Sequence, residues 1–178
     1  MIPINHRKKR KQVVNIINPA FQSSKGKFFG GTTKVLTFGG NTNAWARLFN
    51  PSSSKVNLFV DFFTLTNLSK NPYSANFFIS SKPPGMIFNS RNVGVANTNF
   101  NTTPQGKVQF NPSVKGRPRG GVNFSDRRVP GNETVTSGQI GGKVILSPGK
   151  SLLFFLTSRN IVKAKIGFAW FEGKTIFK

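Results

Sequence analysis

No stretch of this chain sustains the helical period. An apolar stripe at i, i+3, i+4, i+7 never lasts three turns, because Asn, Gly, Pro, Ser and Thr interrupt it everywhere. Short β-favouring runs bounded by turn residues recur instead, so strands are the regular element this chain can build. Lys27-Phe28-Phe29 precedes Gly30-Gly31, and Thr32 to Phe38 alternates, with Thr33, Val35 and Thr37 on one face and Lys34, Leu36 and Phe38 on the other. Gly39 to Asn43 reads as a turn, and Ala44 to Phe49 as a strand ended by Asn50-Pro51.

The clearest strand is Lys55 to Thr66. Its period of two puts Val56, Leu58, Val60 and Phe62 in the core and Asn57, Phe59, Asp61 and Phe63 opposite. Tyr73 to Ser80 follows, and Lys82-Pro83-Pro84-Gly85 breaks the chain. From Met86 to Arg119, only Gly94 to Ala96 and Lys107 to Phe110 are strand-like; Gly120 to Phe124 and Glu133 to Ser137 are short candidates. The last third is strong: Lys143 to Leu146, a turn at Ser147 to Lys150, Ser151 to Ser158, Ile161 to Phe171, and Thr175 to Phe177. Within it, Ala164, Ile166, Phe168 and Trp170 share a face against Lys163, Lys165 and Gly167.

Eight to ten short strands with long polar connections predict an all-β fold: an antiparallel two-sheet sandwich, jelly-roll-like or a related Greek key. At 178 residues, one domain can bury roughly 70% of its unfolded-chain surface. The division predicted is an N-terminal arm and linker over residues 1–26 and a sandwich over 27–178. The core must lean on Phe, of which there are 19 against two Trp and one Tyr. Phe59, Phe63, Phe77 or Phe78, and Phe154 or Phe155 fall on both strand faces, which predicts either burial under long loops or an apolar patch for self-assembly.

Chemistry is conspicuously thin. The lone His6 lies among basic residues, and Asp61, Asp126, Glu133 and Glu172 are the only acids, so no triad, paired carboxylate or hard-cation cage is expected. Zero Cys removes disulfides, thiolate catalysis and thiolate metal sites. Gly138 to Lys143 lacks the spacing of a phosphate loop and runs into a strand. The expectation is a non-enzyme without cofactor or metal. No apolar run approaches a membrane span, and the run after the basic block is too short and too interrupted by Asn15 and Asn18 for a signal peptide. Synthesis in a cytoplasm is expected, with any outer destination reached by lysis or another route.

The 26 Lys and Arg against four acids give +22, a field that attracts polyanions such as nucleic acid. Arg7, Lys8, Lys9, Arg10 and Lys11 hold five of those charges, so +22 less five leaves +17 on the rest. Lys115, Arg117, Arg119, Arg127 and Arg128 form a second concentration. Both groups are candidate polyanion-binding residues, with plain solvation as the alternative; basic runs without aromatics hold phosphates but do not read sequence.

Behind the basic block come Val13, Val14, Ile16 and Ile17, closed by Phe21. The body has a radius of gyration of about 15 Å, and some twenty extended residues span up to ~65 Å. This arm can therefore lie on a neighbouring copy and add a strand to its open edge. Equally, it can form the first strand of its own sheet.

Gly30 to Lys34, Gly40 to Pro51, Leu146 to Ser151 and Gly167 to Glu172 resemble a family of uncharacterised proteins from spore-forming Firmicutes, most specifically through Asn41-Thr42-Asn43-Ala44-Trp45-Ala46-Arg47. In general design, a flexible connector before a jelly roll, the chain is also similar to endospore appendage subunits. That resemblance implies head-to-tail stacking with each connector docked on the next subunit. Members of that kind cross-link through cysteines; this chain has none, so a fibre here would rest on strand addition and packing.

Three functional expectations follow. The first is a structural subunit that self-assembles into a filament or shell through its arm, ending at a spore or cell surface. The second is a nucleic-acid-packaging coat protein, ending in a virion. The third is a monomeric polyanion-binding module. Most of the charge lies outside the arm, which favours the first.

Overall fold

The computed structural model describes residues 18–137 and 140–174. They form helix α1 (Asn18–Ser24) and thirteen strands: β1 (Phe28–Thr32), β2 (Leu36–Phe38), β3 (Asn43–Phe49), β4 (Asn57–Asn67), β5 (Tyr73–Ile79), β6 (Phe88–Asn89), β7 (Val93–Val95), β8 (Lys107–Val114), β9 (Val122–Val129), β10 (Thr134–Thr136), β11 (Val144–Leu146), β12 (Ser151–Thr157) and β13 (Val162–Gly173). One sheet runs β10-β4-β13-β1-β7, with β11 also on β4 and β2 also on β13. The other runs β6-β8-β3-β12-β5-β9.

The wiring is nested. β1 pairs with β13, β3 with β12, β4 with β10 and β5 with β9, all antiparallel. A long hairpin rolled into two sheets has this pairing, which makes the sandwich a jelly roll. β6, β7 and β8 are additions between β5 and β9 in the chain.

Thirteen strands exceed the eight to ten expected, for local reasons. The continuous strand expected over Thr32 to Phe38 is divided at Thr33. There the backbone N donates to Ile166 O at 2.9 Å and the side-chain Oγ1 accepts from Ile166 N at 3.1 Å, so one residue fills both ladder positions. β8 continues past Pro112 because β6 covers only Gln109 and Phe110, and the β3 register slips between Asn43 and Trp45.

The faces of β4 correct the simple alternation. The register against β13 shifts between Ala169 and Trp170, which pair with Phe62 and Val60, so Asp61 is the extra residue of a bulge. Asp61 O accepts from Ile140 N and Gly141 N at 3.1 and 3.2 Å instead of joining the ladder. Beyond it the faces exchange: Phe62 is exposed, whereas Phe63 and Leu65 are buried.

Of the two outcomes open for the strand Phe residues, burial prevails: Phe63, Phe77, Phe154 and Phe155 are buried, and Phe59 and Phe78 are half-buried. Phe63, Phe77 and Phe154 meet at centroid distances of 4.6 to 5.0 Å in the core, and Phe154 stacks on Phe168 at 5.3 Å. Phe59 stacks on Phe171 at 4.8 Å. Phe155 joins Trp45, Val114 and Leu153 in a second cluster, with half-buried Phe78 against it.

At the start of the described chain, Asn18 and Pro19 open α1, a favoured cap and first-turn pair. The helix closes in a Schellman motif: Gly26, at φ 65°, donates to Ser23 O, and Lys27 N donates to Gln22 O, each at 2.9 Å. Gln22 to Gly26, expected as a linker, is thus the helix end and its cap. Asn97 Nδ2 donates to Ser23 O at 3.0 Å and ties this end to the sandwich.

Candidate polyanion-binding and inter-subunit surfaces

The expected basic concentration separates into three places. Lys115, Arg117 and Arg119 share a groove of about 440 Å3 with Lys82, which sequence reasoning passed over as a chain break. The groove lies between two loops, residues 81–85 and 115–119. They clasp each other through Lys82 N to Arg119 O and Arg119 N to Lys82 O, both 3.0 Å, and Ser81 Oγ donates to Arg119 O at 3.2 Å. The indole Nε1 of Trp45 donates to Pro84 O at 2.8 Å, pinning the first loop over the second apolar cluster. Asn111 Nδ2 holds Met86 O at 2.9 Å just beyond it.

Arg127 and Arg128, adjacent on exposed β9, go to different recesses. Arg128 joins Arg159 and Tyr73 around one of about 630 Å3. Arg127 borders another of about 290 Å3 with Phe124, Phe63, Phe77 and Leu152. Arg159 was the missed partner; only the fold brings it beside Arg128.

Arg47 is a different kind of cation. It is buried, with Nε donating to Gln109 Oε1 at 2.8 Å and its guanidinium 4.5 Å from the Phe49 ring centroid. Burial pulls its pKa down to about 10, so it stays charged at neutral pH. Glu172 is likewise committed to structure. Its carboxylate accepts from Gly106 N at 2.9 Å, Trp170 Nε1 at 3.2 Å and Gln105 N at 3.2 Å.

The side of the sandwich at β9 carries a second feature. Among the described residues, β9 has a hydrogen-bonded neighbour, β5, on one side only. On it Val122 and Phe124 are 65% and 64% exposed. The recess beside Phe124 reaches the core aromatics Phe63 and Phe77. Open edge, exposed apolar side chains and an aromatic-lined recess therefore coincide.

Phe21 lies on α1, 41% exposed, with Lys25 Nζ 4.3 Å from its ring centroid. Val13, Val14, Ile16 and Ile17, together with Arg7, Lys8, Lys9, Arg10 and Lys11, lie outside the described residues, as do part of the Gly138 to Lys143 loop and the Thr175 to Phe177 strand. Among the described residues no three His, Cys, Asp or Glu side chains gather as metal ligands. No helix there is long and apolar enough to cross a membrane.

Fold and surfaces together define a cationic jelly-roll sandwich whose β9 edge, among the described residues, exposes Val122 and Phe124. Residues 1–177 match the model of a family of unknown function, DUF6143, and the chain belongs to that family. No curated protein and no solved structure matches it.

Proposed function

We propose that this protein is a structural subunit that joins copies of itself head to tail, residues 13–17 of one copy adding a strand to β9 of the next. The observation that carries this reading is the open edge of β9, with exposed Val122 and Phe124 beside a recess reaching the core. Strand addition takes affinity from backbone hydrogen bonds and specificity from alternate side chains in pockets. Val13, Val14, Ile16 and Ile17 supply β-branched side chains for that purpose. The interface uses two different surfaces, so it closes into a ring or shell, or runs on as a filament, according to the rotation between neighbours. Likeness in design to endospore appendage subunits favours the filament, on a spore or cell surface.

Removing residues 1–17 tests this without touching α1. The shortened chain should remain folded and become monomeric, with the full chain giving large particles in light scattering. Equal particle size for the two would sink the proposal.

A second reading, a coat protein packaging nucleic acid in a virion, is favoured by the net charge of +22 and the basic block Arg7 to Lys11. Purified assemblies would then absorb ultraviolet light as nucleobases do and lose mass to nuclease.

A further inference from the structure

Lys82, Lys115, Arg117 and Arg119 surround one groove, and no Asp or Glu lines it. Like charges held around a common volume repel, and an anionic ligand relieves that repulsion. The groove is preorganised, since the mutual Lys82–Arg119 backbone bonds and the Trp45–Pro84 bond fix its two loops before any ligand arrives.

Arg117 also lines a neighbouring recess of about 270 Å3. Phe78 and Phe155 line it with Asn76, Asn123 and Thr157. Phe155 is 4% exposed, so half-buried Phe78 is the ring available for stacking. One guanidinium thus belongs to both a cation-walled groove and a recess with an aromatic wall and carboxamides. Phosphodiesters suit the first. The second suits a flat ring with polar edges, because bases stack on aromatic side chains while amides meet their edges. A sulfated or carboxylated glycan would satisfy the groove but offers no such flat ring.

We propose that the two recesses form one site for single-stranded nucleic acid. Phosphates lie against Lys82, Lys115, Arg117 and Arg119, and one base stacks on Phe78 beside Asn76. Binding is strongly salt-dependent and nearly indifferent to sequence, as backbone charge and stacking dictate. The site deepens the coat reading by naming where the strand is held, yet it serves a monomer equally, so it stands apart from self-association.

The test is fluorescence anisotropy of nuclease-treated full-length chain with a labelled oligothymidylate, the abasic strand of equal length, and heparin as competitor. Replacing Arg117 and Arg119 together by Ala should weaken oligothymidylate binding by about tenfold or more and lower the salt slope by about two. Phe78→Leu keeps apolar packing but loses the ring. It should weaken oligothymidylate about fivefold and leave abasic-strand binding and the thermal midpoint unchanged. Equal binding of the two strands, untouched by Phe78→Leu, would overturn the base site. Unchanged binding by the Arg117/Arg119 variant, with loss on replacing Arg7 to Lys11 by Ser, would move binding to the N-terminal block and overturn the site altogether. Preference for heparin, lost in the Arg117/Arg119 variant and unaffected by Phe78→Leu, would assign the groove to acidic glycan instead. If instead assemblies carry no nucleic acid while the purified chain binds oligothymidylate as described, the coat reading fails and the site stands.

Discussion

The Nε1 of Trp45 donates to the carbonyl of Pro84 at 2.8 Å, so a fully buried indole in one sheet anchors a cationic loop above it. Trp45→Phe keeps a ring in the cluster but leaves Pro84 O without this donor. Loss of one such bond costs about 1 kcal/mol, a fall of roughly 2–4 °C in thermal midpoint at this chain length. The same variant should weaken oligothymidylate binding, because loop 81–85 then must be ordered by the ligand. Thermal unfolding and anisotropy on one preparation check both effects.

The bulge at Asp61 makes a prediction opposite to plain alternation. Phe63 is 5% exposed in the core and Phe62 is 43% exposed outside. Phe63→Ala should cost about 3–5 kcal/mol. Phe62→Ala should stay within about 0.5 kcal/mol. Denaturant titration of the two variants decides it, and a larger loss at Phe62 would restore the unbulged register.

Burial raises the pKa of Asp61 by desolvating its carboxylate. A raised value in the folded state means that the ionised form is penalised there. Stability rises as pH falls through the folded value, and the gain is complete below the ordinary carboxylate range. Asp61→Asn should therefore melt above the parent at neutral pH, and the two should converge in acid below about pH 4. A constant gap across that range would remove desolvation as the cause.

These particulars mark where the sequence was readable. Alternation placed Ala164, Ile166, Phe168 and Trp170 on one buried face of β13, and all four are there. Turn residues located the β3 and β12 boundaries closely, since Gly39 to Asn43 and Ser147 to Lys150 have few other uses. Alternation failed at Asp61 because a bulge is set by pairing with β13 and by amides from residues 140 and 141, far along the chain. The basic cluster failed for the same reason. Arg127 and Arg128 are neighbours in sequence, but successive strand residues face opposite ways, and Lys82 meets Arg119 only through two loops. The helix was missed because seven residues offer too little periodicity, although Asn18-Pro19 and Gly26 were its cap signals.

Self-association through residues 13–17 and β9 is tested most directly by mixing two crippled chains. One lacks residues 1–17 and keeps the β9 edge; the other keeps residues 1–17 and carries Val122→Lys with Phe124→Lys. Both substituted side chains are about two-thirds exposed, so the fold should tolerate the change. Sedimentation velocity should show each chain alone as a monomer, the full-length variant near 19.6 kDa and the shortened chain lighter by its missing N-terminal residues, and the equimolar mixture as a one-to-one dimer, because only one complete interface is available. A mixture that stays monomeric while the unmodified chain assembles, or a variant that assembles alone, would contradict the account.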